Sequence, residues 1–297
     1  FNHDYMTGVN RWYRDRYTSD YYNRTLNQTY NIIATYNGSY KNHNLNAMAG
    51  FEYYDQNQKG FQAVGYGAPT DSFQDLNLTD PERRSMDSWH SQNRIMSFFG
   101  KLDYDFDSKY LVSAVLRRDG YSRLAKDNRW GFFPGISAGW VFGKEEFMER
   151  FQDVISFSKV RFSYGANGNL DTGYIGNYTV QGAYSPQTKY NGQGTTLMST
   201  LPNPNLRWEK SYTFEAGLDL GFFNNRYTLN MTFYNRRTKD KLAYITLPSH
   251  SGVSSILSNN GEVQNQGIEM EVTTRLIDQK DWKWNLNFNL SYNKNKV

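Results

Sequence analysis

The sequence predicts an all-β chain: an antiparallel, up-and-down sheet forming part of the wall of a transmembrane β-barrel. Three observations predict it. Apolar and polar residues alternate with period two in about ten segments. Each segment is about 9–13 residues long, the reach of a tilted membrane-crossing strand and more than a soluble sheet needs. The connections alternate between short and long, as in a meander with tight turns at one end and loops at the other. Composition agrees. Only 38% of the 297 residues are hydrophobic, yet 17% are aromatic, including 24 Tyr, 19 Phe and 7 Trp. A mean hydropathy of −0.79 does not argue against a membrane, because a barrel strand needs apolar residues only at every second position.

The strands are read in order. Over 29–40, Tyr30, Ile32, Ala34 and Tyr36 alternate with Asn31, Ile33, Thr35 and Asn37. Over 45–53 one face carries Leu45, Ala47, Ala49, Phe51 and Tyr53. Further strands are expected near 94–106, 110–118, 132–142 and 158–166. Over 212–222, Tyr212, Phe214, Ala216, Leu218, Leu220 and Phe222 oppose Thr213, Glu215, Gly217, Asp219 and Gly221. Strands near 227–237 and 266–277 follow. The last, 284–292, sets Trp284, Leu286, Phe288, Leu290 and Tyr292 against Asn285, Asn287, Asn289 and Ser291. Aromatics at both ends of the apolar faces match the two girdles of a barrel rather than the core of a sandwich. Leu218, Leu220, Met231, Phe233, Leu286, Phe288 and Leu290 should therefore face lipid, and Glu215, Asp219, Glu269, Glu271, Asn287 and Asn289 the interior.

Short connections fall at 41–43, 107–109, 223–226 and 278–281, and long ones at about 58–92, 119–131, 168–206 and 238–264. The irregular connection 143–157 belongs to the short side and holds one or two amphipathic helical turns over 144–151. Ten strands place both chain ends on the long-loop side, so the sheet is expected to be open, with its two edges completed by other segments. Residues 1–13 carry no basic region followed by an apolar core. A net charge of +4 arises from 33 basic and 29 acidic residues mixed along the chain, so no nucleic-acid partner is expected. The absence of cysteine excludes disulfides and thiolate metal sites.

Six motifs in order carry a family resemblance. Arg117-Arg118-Asp119-Gly120 is followed by Ser122-Arg123, Asn128-Arg129-Trp130-Gly131, Phe133-Pro134 and Ser137-Ala138-Gly139-Trp140. Then come Val160-Arg161-Phe162-Ser163-Tyr164-Gly165 with Gly168-Asn169, and Asn203-Pro204-Asn205-Leu206-Arg207-Trp208-Glu209-Lys210. Gly217-Leu218-Asp219 with 222–226, Tyr234-Asn235 with Thr238-Lys239-Asp240, Asn260-Gly261 with Gly267-Ile268-Glu269, and 284–297 complete the set. Over 94–297 the chain resembles the barrel of SusC/RagA-type, TonB-dependent outer-membrane transporters; 43–48 matches more loosely. The resemblance implies a 22-stranded barrel in the outer membrane of a Gram-negative bacterium. Short turns would be periplasmic and long loops extracellular. It also implies an N-terminal plug, coupling to the TonB complex, a SusD-type surface lipoprotein as lid, and import of oligosaccharides or peptides. Residues 1–297 would then be a partial transmembrane barrel domain, with the plug and the remaining strands outside it.

No catalytic residue, metal site or cofactor is expected, and the chain is read as a non-enzyme. Gly135-Ile136-Ser137-Ala138-Gly139 has the form of a nucleophile elbow, but it lies within an alternating strand rather than a strand-to-helix turn. Asp103, Asp105 and Asp107 imitate the start of a calcium loop, yet Ser108 and Ala114 stand where Gly and Glu are needed. His3, His43, His90 and His250 have no metal-ligand spacing. The plausible binding residues are loop aromatics, whose rings stack on sugar faces while their polar tips hydrogen-bond. Trp12, Tyr13, Tyr17, Tyr21 and Tyr22 precede the first expected strand; Trp89, Tyr174, Tyr178, Tyr184 and Tyr190 fall in later loops. Trp12, Tyr13, Trp89, Tyr174, Tyr178, Tyr184 and Tyr190 are the candidate solute contacts. The alternative from a different class is a water-soluble, secreted, β-rich carbohydrate-binding or adhesin module.

Overall fold

The computed structural model describes residues 16–70, 72, 75–190 and 193–297. Ten strands form one sheet, and a separate hairpin lies within one connection. The sheet contains β1 (Tyr17–Tyr40), β2 (His43–Tyr66), β3 (Arg84–Phe106), β4 (Tyr110–Tyr121), β5 (Trp130–Trp140) and β6 (Ile155–Asn169). It continues with β9 (Glu209–Phe222), β10 (Tyr227–Thr246), β11 (Ser255–Asp278) and β12 (Lys283–Lys296). The hairpin is β7 (Ala183–Tyr190) with β8 (Gln193–Thr200). Sheet order follows chain order, and among the described residues β1 and β12 are its two edges and do not pair with each other. The ten expected strands are all present.

The expected lengths need correction. β1, β2 and β11 are 24 residues each and β3 is 23, about twice the length read from alternation. Much of each expected long loop is strand: the connections reduce to 67–83, 122–129, 170–208 and 247–254. Alternation marks only the part of a strand with a regular apolar face; beyond it the backbone ladder continues with apolar residues at irregular positions. The hairpin β7–β8 likewise occupies residues expected to be loop.

The chain divides into two compact units, residues up to 30 with 53–94, and 31–52 with 95–297. In the first, Asp55 accepts Gln92 Nε2 at 2.9 Å and lies 3.3 Å from Arg94 Nε, and Asn93 Nδ2 donates to Gln56 at 2.7 Å.

In the second unit the register places whole rows of like residues side by side. One row runs Phe106–Tyr110–Trp140–Val160–Leu218–Met231–Met270–Leu290 from β3 to β12. A parallel row is Tyr104–Val112–Ala138–Phe162–Ala216–Phe233–Ile268–Tyr292. Directly opposed residues share a face, so this face is apolar across eight strands. Phe162, Phe233, Ile268, Phe288 and Tyr292 are all exposed on it. So large a bare apolar surface requires hydrocarbon or protein against it.

The intervening rows are polar. Asp103–Ser113–Ser137–Ser163–Glu215–Tyr234 is one, and Arg161–Gly217–Thr232–Glu269–Ser291 belongs to the next. Glu215, Asp219, Glu269, Glu271, Asn287 and Asn289 thus share the face opposite Leu218, Phe233 and Phe288, as expected. Arg161 donates to Thr232 Oγ1 at 2.6 Å and pairs with Asp219 at 3.4 Å. A Cβ at Gly217 would stand 2.5 Å from the Arg161 guanidinium, so glycine gives that side chain its room. A groove of about 580 Å³ lies against this face, lined in part by Asn44, Asp103, Ser113, Ser137 and Glu215.

At the short-turn end, Asp107 and Ser108 have φ of 55° and 50°, and Lys109 N–H donates to Phe106 O at 3.0 Å. This is the left-handed turn geometry that follows strand twist. The connection 141–154 folds as 3-10 turns over Phe142–Lys144 and Glu146–Phe151. There Glu145 Oε1 accepts from Tyr110 OH at 2.7 Å and Trp140 Nε1 at 3.0 Å, with Lys109 Nζ 3.5 Å from Oε2.

Two outcomes follow. Arg in place of Phe288 should cost about 2–4 kcal/mol in denaturant unfolding of the membrane-embedded protein if the site is near the midplane, whereas Asn289→Arg should cost much less. The Trp140 and Tyr110 hydrogen bonds, with Lys109, hold the Glu145 carboxyl below its ordinary range. Its folded pKa is the lower one, so its stabilisation is full above about pH 4.3, the unfolded value, and is lost as pH falls through the folded value. A pH titration of the Trp140 indole N–H resonance should show that loss, and Glu145→Gln should abolish it.

Candidate functional site

The apolar rows end where the strands pass beyond the aromatic residues, and there the long connections build a buried core. Tyr121, Leu124, Phe133, Leu170, Ile175, Leu206, Trp208, Leu242 and Leu257 form one buried cluster. Tyr121 and Phe133 belong to the polar face of β4 and β5 by register with Arg117 and Asp119. The connections therefore fold over the interior side of the wall. Leu206 and Ile175 are fully buried.

Polar clamps fix this collar. Trp208 Nε1 donates to Arg129 O at 2.9 Å while its ring meets Phe133 edge-on at 5.6 Å. Arg123 Nη1 donates to Ile175 O at 2.6 Å, Asn128 Nδ2 to Pro204 O at 2.9 Å, and Asn203 Nδ2 to Leu257 O at 2.8 Å. On β10 the register shifts around Lys241, and Asp240 adopts φ of 57°. A bulge re-aims side chains and releases ladder groups, and two residues take these up. Glu209, 2% exposed, accepts Leu242 N–H at 2.7 Å and Asn169 Nδ2 at 2.9 Å. Arg207 pairs with Asp240 at 2.7 Å, and Asn259 bridges Arg207 O and Asp240 O. The Asp240 hydrogen bond raises the Arg207 pKa further.

The candidate aromatics fare differently. Trp12, Tyr13 and the Tyr190 side chain lie outside the described residues. Trp89 is on β3 rather than in a loop, half-buried and stacked on Tyr21 at 5.5 Å. Tyr17, Tyr21 and Tyr22 are within β1 instead of preceding it, and Tyr17 and Tyr22 meet Tyr66 and Phe61. Those four rings pack strand against strand. Tyr174 sits on the collar, packed 5.8 Å from Tyr244 of β10 with 40° between the rings. The pair is exposed, as are Tyr178 and Tyr184. Tyr174 is held by its own N–H to Asp171 O and by the burial of the next residue, Ile175. Sequence reasoning missed Tyr244, although Leu242 and Tyr244 resume the alternation past the bulge. It also missed the clamps Glu209 and Asp240, which stood in recognised motifs without a role, and Asn259, which stood next to one. Ser137 lies mid-strand in β5, opposite Ser113 and Ser163, and has no elbow geometry. Asp103 accepts from Ser113 and pairs with Lys101, and Asp105 accepts from Asn44 and Ser108 N–H.

A two-faced antiparallel wall with a clamped collar of long connections defines an outer-membrane β-barrel protein. The chain belongs to the TonB dependent receptor-like, beta-barrel family, whose model matches residues 1–297. It is 34% identical over 284 residues to TonB-dependent receptor P3 of Formosa agariphila, covering 94% of this chain and 28% of that protein. It is 32% identical over 277 residues to TonB-dependent receptor SusC of Bacteroides thetaiotaomicron, covering 91% and 27%. A solved structure of the RagAB peptide transporter aligns with a TM-score of 0.84 at 27% identity, covering 95% of this chain and 31% of that one. The chain thus spans under a third of each of these three proteins. Members of this family reside in the Gram-negative outer membrane, which sets aside the water-soluble alternative.

Leu206→Ala should weaken the collar by about 2–5 kcal/mol, because the void it leaves is fully enclosed. Arg207→Ala, whose side chain is half exposed, should cost about 1 kcal/mol or less. Hydrogen exchange of 201–208 should report the first change strongly and the second weakly, with the β9–β12 ladder unchanged in both.

Proposed function

We propose that this chain is a section of the barrel wall of an active importer energised through TonB. Other strands complete the barrel, a plug fills it, and a SusD-type lipoprotein lids its outer mouth. The protein works by transport, not catalysis. The wall supplies a lipid-facing exterior, a polar interior against which a plug can seat, and a collar that presents exposed tyrosines at the mouth.

The single observation that carries the reading is the register: across the central rows, eight neighbouring strands from β3 to β12 keep one face apolar and the other chiefly polar, and the register shifts fall outside those rows. Its support from relatives is the receptor family and the likeness to SusC. The solute is an oligosaccharide or a peptide. Tyr174, Tyr178, Tyr184 and Tyr244 favour the first, since exposed rings with hydroxyl tips suit pyranose faces and sugar hydroxyls. The likeness to a transporter whose structure is described as importing peptides favours the second.

One experiment separates them. In the full-length transporter, Tyr174→Ala and Tyr244→Ala should each weaken solute binding by about 0.5–1.5 kcal/mol, roughly two- to tenfold in Kd, with assembly intact. The loss should appear with a panel of neutral oligosaccharides if the solute is a glycan, and with short peptides if it is not. Loosened lid binding with unchanged solute affinity would make the tyrosines interface residues instead. Uptake that persists without TonB would refute the importer reading.

A further inference from the structure

We propose that the connection 141–154 is a lipid anchor that lies in the headgroup region of the short-turn leaflet, with glycerophospholipid as its partner. Two independent features place this segment on the lipid side of the wall rather than at the interior.

The first is where it packs. Ser158 shares its row with Leu220, Leu229, Val272 and Phe288, the apolar exterior face. Yet Ser158 is fully buried. Gly143 covers it: a Cβ there would stand 2.7 Å from Ser158 Oγ, so only glycine lets the turn lie so close. The turn therefore folds outward over the lipid-facing end of β6. The second is what it presents. Phe147, Phe151 and Val154 are 56%, 42% and 45% exposed, while Met148 is buried beneath them. The Phe147 and Phe142 rings contact Trp140 at 6.4 and 5.7 Å, and Trp140 belongs to the exterior row with Val160 and Leu218. The exposed apolar surface of the turn is thus continuous with the membrane face of the sheet.

Charged side chains of both signs border this surface, with the acidic ones Glu145, Glu146, Glu149 and Asp153 outnumbering Lys144 and Arg150. Lys144, Glu146, Glu149 and Arg150 are exposed beside these rings, and the Arg150 guanidinium lies 4.7 Å from the Phe151 ring centroid. Short segments with aromatic anchors and basic side chains at their margins sit in the interface rather than spanning it. Glu145 ties the segment to the wall through Trp140, Tyr110 and Lys109, so anchor and strand ends move as one body. The consequence is a fixed depth: the turn stops the barrel from rising or sinking in the bilayer.

The inference rests on the membrane reading above, and the test separates the two. This section of the wall contains no cysteine, so none of its own side chains competes with the labels, and any thiol elsewhere in the full-length protein is first replaced by serine. Nitroxides at Phe147→Cys, Phe151→Cys, Glu149→Cys and Phe288→Cys are compared in the full-length transporter, reconstituted in phosphatidylethanolamine–phosphatidylglycerol vesicles. Collision with oxygen reports lipid, and collision with a water-soluble nickel complex reports water. The oxygen-to-nickel ratio at Phe147 and Phe151 should be several-fold above that at Glu149 and below that at Phe288. A nickel-accessible Phe147 beside a lipid-buried Phe288 would overturn the anchor and leave the wall standing. Low collision of Phe147 with both reagents would overturn it in favour of a protein neighbour. A nickel-accessible Phe288 would overturn both.

Discussion

Hydrocarbon offers no partner for a backbone amide, so every N–H and C=O that crosses it must be bonded within the protein. A strand meets that demand only through its neighbours. Once ten strands are laddered, the pleat assigns alternate side chains to opposite faces, and a slip of one residue would turn each strand inside out. The unbroken rows Leu218–Met231–Met270–Leu290 and Glu215–Tyr234 follow from that constraint. Polar side chains such as Arg161, Asp219 and Thr232 are admitted because they bond one another on the interior face.

Beyond the lipid the constraint relaxes, and the chain spends its freedom on the collar. The bulge around Asp240 interrupts the ladder of β10, and the freed Leu242 amide goes to the buried Glu209 carboxylate. Loop residues gather around Leu206 and Trp208, so a long connection becomes a packed element with a defined outer surface. That surface bears Tyr174 and Tyr244. The motifs around Asn203–Lys210 and Thr238–Asp240 are therefore chiefly structural: they hold the collar in shape beside the exposed rings.

Alternation made the existence and order of the strands legible because one face of each must be apolar. Strand ends were hidden for the same reason. Residues 17–28 of β1, Asp55–Gln58 of β2 and Ser255–Val263 of β11 extend the ladder without a regular apolar face, a pattern that reads as loop. Tyr244 and Trp89 were misplaced with them. The clamps at Glu209 and Asn259 were out of reach for another cause: their partners lie 33 and 52 residues away, and only the closed fold brings them together. The helical turns over 144–151 were read correctly in kind, from Phe147 and Phe151 set among charges, but only the fold brings Gly143 against the buried Ser158.

The central claim is that the wall has a lipid face and a polar face set by residue parity. The most direct measurement is a bimane scan of β12, one cysteine at a time from 284 to 292, in the full-length protein within vesicles containing brominated lipid. Quenching should alternate, strong at Trp284, Leu286, Phe288, Leu290 and Tyr292 and weak at Asn285, Asn287, Asn289 and Ser291. Uniform quenching, or the inverse alternation, would contradict the account.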